Sequence, residues 1–227
     1  MEPLTLYVGN RNYSSWSLRP WLALKQTGAA FAEVVIPLDQ AGSKAAIGAQ
    51  SPSGRVPLLV HGELRIWESL AICEYVAELF PAARLWPADG AARAVARAVS
   101  CEMHAGFATL RRQLPMDIRN RRAAPAQRAA AAADIARVTD LWHDCRSRFG
   151  AAAANGPGPF LFGGFSIADA MFAPVATRFV TYDVPLAAEP AAYVAALCDW
   201  PAMRTWRAAA AAEPWTIEDD VFAATPA

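Results

Sequence analysis

The sequence is poor in the residues that build metal centres and disulfide frameworks. Its 227 residues hold four cysteines and three histidines. Cys73, Cys101, Cys145 and Cys198 form neither a Cys-x-x-Cys motif nor a Cys/His cluster, and His61, His104 and His143 supply no ligand set. Reduced thiols and no metal are expected. An excess of charge is also missing: 21 basic residues balance 21 acidic ones, so neither a nucleic-acid surface nor an acidic membrane has an electrostatic claim on the chain. No apolar run approaches the roughly 18 residues of a membrane helix. Met1-Glu2-Pro3 lacks the basic flank and apolar run of a signal segment, and a soluble, cytoplasmic protein is expected.

What the chain does contain centres on Asn12-Tyr13-Ser14-Ser15-Trp16-Ser17-Leu18-Arg19-Pro20-Trp21-Leu22. A β-like run, Leu4 to Val8, precedes it, and Leu18, Trp21 and Leu22 then recur at helical spacing. Strand hands over to helix here. Pro20 is tolerated only near the first turn, so the helix should begin within a few residues of Ser15, with Ser14, Ser15 and Ser17 as cap candidates. A helix start carries unpaired N–H groups and partial positive charge, and serine hydroxyls beside it can donate to an anion such as a thiolate.

Phe31 to Ile36 reads as a second strand, parallel to the first by the crossover rule. A short helix lies between Asp39 and Gln50. Ser51 to Gly54 turns into Val56-Pro57-Leu58-Leu59-Val60, and His61-Gly62-Glu63 separates that run from Leu64 to Trp67 as a hairpin. Ser69, Ile72, Cys73, Val76, Ala77 and Phe80 then mark a helix that Pro81 ends. Residues 1–81 therefore read as a βαβαββα α/β domain and 82–90 as a linker. Residues 91–227 show no alternating strand and read as an all-α helical bundle with helices over Ala91–Leu114, Pro125–Phe149, Ile167–Thr181, Ala188–Leu197 and Pro201–Ala212. The alanine runs Ala129–Ala133 and Ala151–Ala154 are bias without a repeat period. In Phe160 to Asp169, Ser166-x-x-Asp169 has the form of a capping box flanked by Phe165 and Ala170 as a staple, which gives Asp169 a structural role.

Four of these signals, in order, resemble the cytosolic glutathione transferases: the serine-bearing turn at Ser14-Ser15, Val56-Pro57, Glu68-Ser69 and Ser166-x-x-Asp169. The resemblance spans nearly the whole chain and implies a thioredoxin-like N-terminal domain followed by a helical one, with a homodimer as the assembly. Among the classes, Ser14-Ser15-Trp16-Ser17 is similar to the zeta-like Ser-Ser-Cys pattern, with Trp16 in the place of the cysteine.

The resemblance implies glutathione as co-substrate and assigns roles. Ser14 aligns with the family's catalytic serine; Ser15 beside it is the alternative partner of the sulfur and the expected helix cap. Val56, ahead of a cis-Pro57, would pair with the cysteinyl backbone, Ser69 would take the γ-glutamyl carboxylate, and Glu68 would stand near its ammonium group. Lys44 and Arg55 are the candidates for the glycine carboxylate. Trp16, Met103, His104, Phe107 and Arg111 would line a pocket for a small hydrophobic electrophile, bounded by the first loop and the helix Ala91–Leu114. The chemistry implied is thiol activation: lowering a pKa near 8.5 by about two units takes roughly 2.7 kcal/mol of preferential thiolate stabilisation. The alternatives are a zeta-like cis-trans isomerase and a noncatalytic glutathione-transferase-like module that binds partners or hydrophobic ligands. A glutaredoxin-type reductase would need a cysteine at the first helix, and none precedes Cys73.

Overall fold

The computed structural model describes residues 2–150 and 158–217. The run Ala151–Ala154 and residues 218–227 lie outside the described residues.

Strand β1 (Leu4–Val8), helix α1 (Ser15–Thr27), strand β2 (Ala32–Val35), helix α2 (Ser43–Gln50), the hairpin β3 (Leu58–His61) and β4 (Leu64–Trp67), and helix α3 (Ser69–Leu79) form the first half. The sheet order is β2-β1-β3-β4. β1 and β2 run parallel with Leu6 opposite Glu33, β3 is antiparallel to β1 with Leu59 opposite Leu6, and β4 is antiparallel to β3 with Ile66 opposite Leu59. This is the expected thioredoxin-like mixed sheet. Gly28 closes α1 in the left-handed region, where a glycine is the least strained residue. After a single turn at Pro81–Ala83 the chain is helical: α4 (Gly90–Ala105), α5 (Ala108–Gln113), α6 (Pro125–Ala130), α7 (Ala132–Phe149), α8 (Ile167–Thr181), α9 (Ala188–Asp199) and α10 (Pro201–Ala212).

Two of the long helices expected from alanine and arginine content are broken. Ala91–Leu114 divides at Gly106-Phe107, where Phe107 takes a φ of 60°. The break is held by Arg111, whose guanidinium donates to the carbonyls of Met103, His104 and Gly106 at the end of α4. A basic side chain thus occupies the orphan acceptors of a helix C-terminus. Pro125–Phe149 divides at Ala131, between α6 and α7.

Helix α8 is the central post. Every residue from Ile167 to Phe179 is buried, and it packs against α1, α4 and α9. Its start is fixed by Asp169. The Oδ2 atom accepts from Ser166 N and Ser166 Oγ, both at 2.8 Å, and Oδ1 accepts from Leu161 N and the Tyr193 hydroxyl, both at 3.0 Å. Burial pushes the Asp169 carboxyl up from its ordinary range, against donors that favour its charge. Arg19 joins the halves of the chain: on α1, with no solvent exposure, its Nε donates to the Met171 carbonyl of α8.

Candidate active site

The loop between β1 and α1 is held from three directions. Asn10 Oδ1 accepts Leu38 N at 2.6 Å, and Glu213, beyond α10, accepts Arg11 N and Asn12 N. The side chain of Asn12 donates to Asp117 Oδ1 and accepts Arg119 N, each at 2.8 Å. The irregular segment after α5 is in turn pinned to α8, Arg178 Nε donating to Leu114 O and Thr181 Oγ1 to Asp117 O. Serines at the start of α1 are therefore presented from a framed loop.

Ser14, not Ser15, occupies the cap position, and Ser15 is the first helical residue. The expectation that Ser15 caps the helix is corrected by the turn ahead of it, where Asn10 O accepts both Tyr13 N and Ser14 N and sets the helix one residue earlier. Ser14 forms no side-chain cap bond; its Oγ donates to Ser17 Oγ at 2.8 Å.

A cavity of about 550 Å³ lies at this loop, lined by Tyr13, Ser14, Ser15, Trp16, Leu38, Ile47, Arg55, Val56, Arg111, Met116, Asp117, Arg122 and Arg178 among others. A recess of about 120 Å³ shares Trp16, Arg55 and Val56 with it and adds Ser53, Pro57, Glu68 and Ser69. The Val56–Pro57 bond is cis. Glu68 has a φ of 69°, a conformation costing a non-glycine residue on the order of 1–3 kcal/mol, and such strain concentrates at functional sites. Ser69 Oγ donates to Trp16 O at 2.9 Å, tying the start of α3 to the start of α1.

Of the residues assigned from sequence, Ser14, Ser15, Trp16, Arg55, Val56, Pro57, Glu68, Ser69 and Arg111 gather at these two hollows. Lys44 does not: it is exposed on α2 and lines neither. Met103 is completely buried in the core and Phe107 sits in the core at the α4–α5 break, so neither lines the cavity. Both assignments assumed one continuous helix; the break at Gly106 takes Arg111 out of register with them. His104 stands behind the wall, its ring edge-on to Trp16 at 5.2 Å and its Nε2 3.6 Å from Glu68 Oε2. Burial, with Arg19 and Arg111 nearby, depresses the His104 pKa despite Glu68, which leaves the ring neutral at pH 7. Pattern reading missed the far wall, Pro115 to Arg122 and Arg178. Arg178 had a readable signal, the one guanidinium in the largely apolar α8.

The cavity is electrically unbalanced. Arg55, Arg111, Arg122 and Arg178 line it, against one lining acid among the described residues, Asp117. Asp117 is already occupied by Asn12, Asn120 and Arg122; burial alone would raise its pKa, and these bonds hold it below the ordinary value. Burial brings Arg178 down to about 9 and also lowers Arg111. Behind them Arg19, with its Cζ 4.2 Å from the Trp16 ring centre, leaves Nη1 and Nη2 without a hydrogen-bond partner among the described residues, and Arg111 Cζ stands 4.5 Å from the same ring. A buried positive cluster of this kind is costly unless an anion completes it.

The model of the glutathione S-transferase N-terminal domain matches residues 13–79. A probable maleylacetoacetate isomerase of Caenorhabditis elegans is 34% identical over 119 residues, 52% of this chain and 55% of that protein. A probable maleylacetoacetate isomerase of Vibrio cholerae is 33% identical over 108 residues, 46% and 49%. The chain thus spans about half the length of these curated relatives. Among solved structures, a Burkholderia glutathione transferase homolog with bound glutathione superposes with a TM-score of 0.67 at 26% identity, over 92% of this chain and 98% of that one. A theta class glutathione S-transferase of Xanthomonas axonopodis pv. citri, with glutathione bound, gives 0.66 at 24% identity over 90% and 97%. The serine-bearing helix start, the cis-proline turn and the helix start at Glu68-Ser69 all fall within the matched N-terminal residues, and the helical half completes the same architecture: residues 13–79 match the glutathione S-transferase N-terminal domain, and the chain has the fold of the solved glutathione transferases.

Proposed function

We propose that the chain is a glutathione transferase that activates the glutathione thiol for attack on a small electrophile. The carrying observation is that Ser14 lines a cavity sharing Trp16, Arg55 and Val56 with the recess of Pro57, Glu68 and Ser69. Glutathione in relatives of this fold supports the reading. The peptide lies along Val56 with its γ-glutamyl end toward Ser69 and Glu68, which puts its sulfur at the mouth of the larger cavity beside Ser14. The thiol proton leaves to solvent, the Ser14 hydroxyl donates to the sulfur, and the thiolate forms the new carbon–sulfur bond as the electrophile's π pair moves onto its activating group or its bonding pair departs with the leaving group. A charge-assisted hydrogen bond together with the helix N-terminus meets the roughly 2.7 kcal/mol that a two-unit pKa drop requires. The test is ultraviolet thiolate absorbance on adding glutathione at pH 7, with S-methylglutathione as blank. Thiolate is expected; glutathione that binds and stays a thiol would leave a binding module only.

The arginines refine the electrophile to an apolar body carrying an anionic group. Arg178 is the sharpest test, because its Nε and Nη1 are held by Leu114 O and Pro174 O while Nη2 has no protein partner among the described residues. Arg178→Met is expected to cut kcat/KM for a carboxylated electrophile about 10–100-fold while changing that for its methyl ester far less, the value of one hydrogen bond between charged groups. An equal loss for acid and ester would remove Arg178 from recognition.

The same charge balance favours a second reading, glutathione-dependent isomerisation, in keeping with the isomerase names of the curated relatives. There the thiolate adds to an activated double bond, the adduct rotates, and elimination returns the thiolate with the bond in the other geometry. Substrate isomerised without net consumption of glutathione separates the readings. We also propose a homodimer, for which Leu64 and Trp67, exposed on the edge strand β4, offer apolar surface; light scattering at twice 24.4 kDa is expected.

A further inference from the structure

Ser17 has no solvent exposure, lines neither hollow and does not cap α1, yet its hydroxyl meets the one side chain on which thiol activation rests. It lies three residues after Ser14 and therefore on the same face of the helix start. The two oxygens are 2.8 Å apart, and Gly9 N, at the end of β1, donates to Ser17 Oγ at 3.1 Å. The approach is close: a Cβ at position 9 would stand 2.8 Å from Leu38 Cδ1 and 3.1 Å from Ser14 Cβ, so a side chain there would press on Leu38 and Ser14.

We infer that Ser17 is a positioning residue for thiol activation, its hydroxyl donating to Ser14 Oγ whenever Ser14 donates to the glutathione sulfur. The inference rests on the proposed role of Ser14. A hydroxyl has one hydrogen and two lone pairs. In the unliganded protein the Ser14 hydrogen is directed at Ser17. When it turns to the thiolate, the Ser14 oxygen is left as an acceptor in a buried place, and the hydrogen in reach is that of Ser17. The Ser17 oxygen continues to accept the backbone N–H of Gly9. All hydrogens then point one way, from Gly9 N through Ser17 and Ser14 to sulfur. Two hydroxyl rotations suffice and no proton passes along the chain; the thiol proton goes to solvent as before. Each donor in such a row polarises the next, so the bond to sulfur is stronger than an isolated serine could make, and Ser14 is fixed in the rotamer that aims at it.

The experiment measures the pKa of glutathione bound to wild type, Ser14→Ala, Ser17→Ala, Ser17→Cys and Ser14→Ala/Ser17→Ala, by thiolate absorbance against pH, with the dissociation constant of S-methylglutathione alongside. Ser17→Ala is expected to reduce bound thiolate at pH 6.5 by about 3–10-fold and to move the acid limb of kcat/KM upward, with S-methylglutathione affinity unchanged. Ser17→Cys, of similar size and a weaker donor, falls between and keeps the question answerable should alanine not fold. In the double variant Ser17→Ala adds nothing to Ser14→Ala, since the row is already cut. A lower melting temperature with a wild-type thiol pKa in both Ser17 variants would make Ser17 an anchor between β1 and α1 and overturn the relay alone. Thiolate surviving in Ser14→Ala would overturn the relay together with the assignment of Ser14.

Discussion

Ser14→Ala is expected to remove nearly all of the thiolate signal at neutral pH and to lower kcat/KM there by about 10–10²-fold, the loss of thiolate that a two-unit rise in pKa produces. Alanine fits the position without collision, so the loss is chemical. What remains should come from the first N–H groups of α1 and from the positive surroundings of Arg111 and Arg178. The effect has a pH signature. Without its donor the bound thiol titrates near the ordinary value of about 8.5, so the variant's rate should climb through that range while the wild type has already reached its plateau. As a fold ratio the gap approaches its limit of about 100 below pH 6.5 and narrows toward pH 9. A gap independent of pH would mean that Ser14 positions the electrophile or the helix and does not hold the thiolate.

The parts of the fold that local chemistry decides were legible beforehand. Helix α8 runs over Ile167–Thr181 and β1 over Leu4–Val8, as their patterns predict. The Ser166/Asp169 box forms, and the His61-Gly62-Glu63 turn joins a hairpin. What could not be read are features set by partners far along the chain. The break between α4 and α5 depends on Arg111 turning back onto three carbonyls, and a count of helix-forming residues registers Arg111 only as favourable. The far wall of the cavity is irregular backbone after Gln113, held by Asn12–Asp117 and Arg178–Leu114 bonds across separations of 105 and 64 residues. No periodicity announces such a wall. Met103 and Phe107 were misplaced for the same reason, since a residue's face on a helix is predictable only while the helix continues. Charge misled in a further way: a neutral sum over the chain conceals a cavity in which guanidinia outnumber carboxylates.

Asp169→Asn is expected to destabilise the fold by about 3–5 kcal/mol, a value typical of breaking a buried charged network. Asparagine is nearly the same shape, but the site requires acceptors on both branches. Oδ1 receives Leu161 N and the Tyr193 hydroxyl, Oδ2 receives Ser166 N and Ser166 Oγ. The two hydroxyls can rotate; the two backbone N–H groups cannot. Whichever way the amide is turned, its NH₂ confronts a fixed donor, and a buried N–H loses its partner at about 1–3 kcal/mol before the repulsion is counted. Removing the charge returns part of the desolvation cost that pushes the carboxyl upward, which is why the expected loss is less than four bonds to a charged group would suggest. Urea unfolding of the two proteins measures the difference. α8 also carries Arg178 and the carbonyl that holds Arg19, but neither is bonded to Asp169, so the damage should reach the cavity only through stability: at temperatures where the variant is folded, kcat/KM stays within a few-fold of wild type, and the protein fails by unfolding earlier. A loss below about 1 kcal/mol would mean that the turn from Leu161 to Ser166 holds its shape without the carboxylate, and that the Ser-x-x-Asp sequence marks a helix start without securing it.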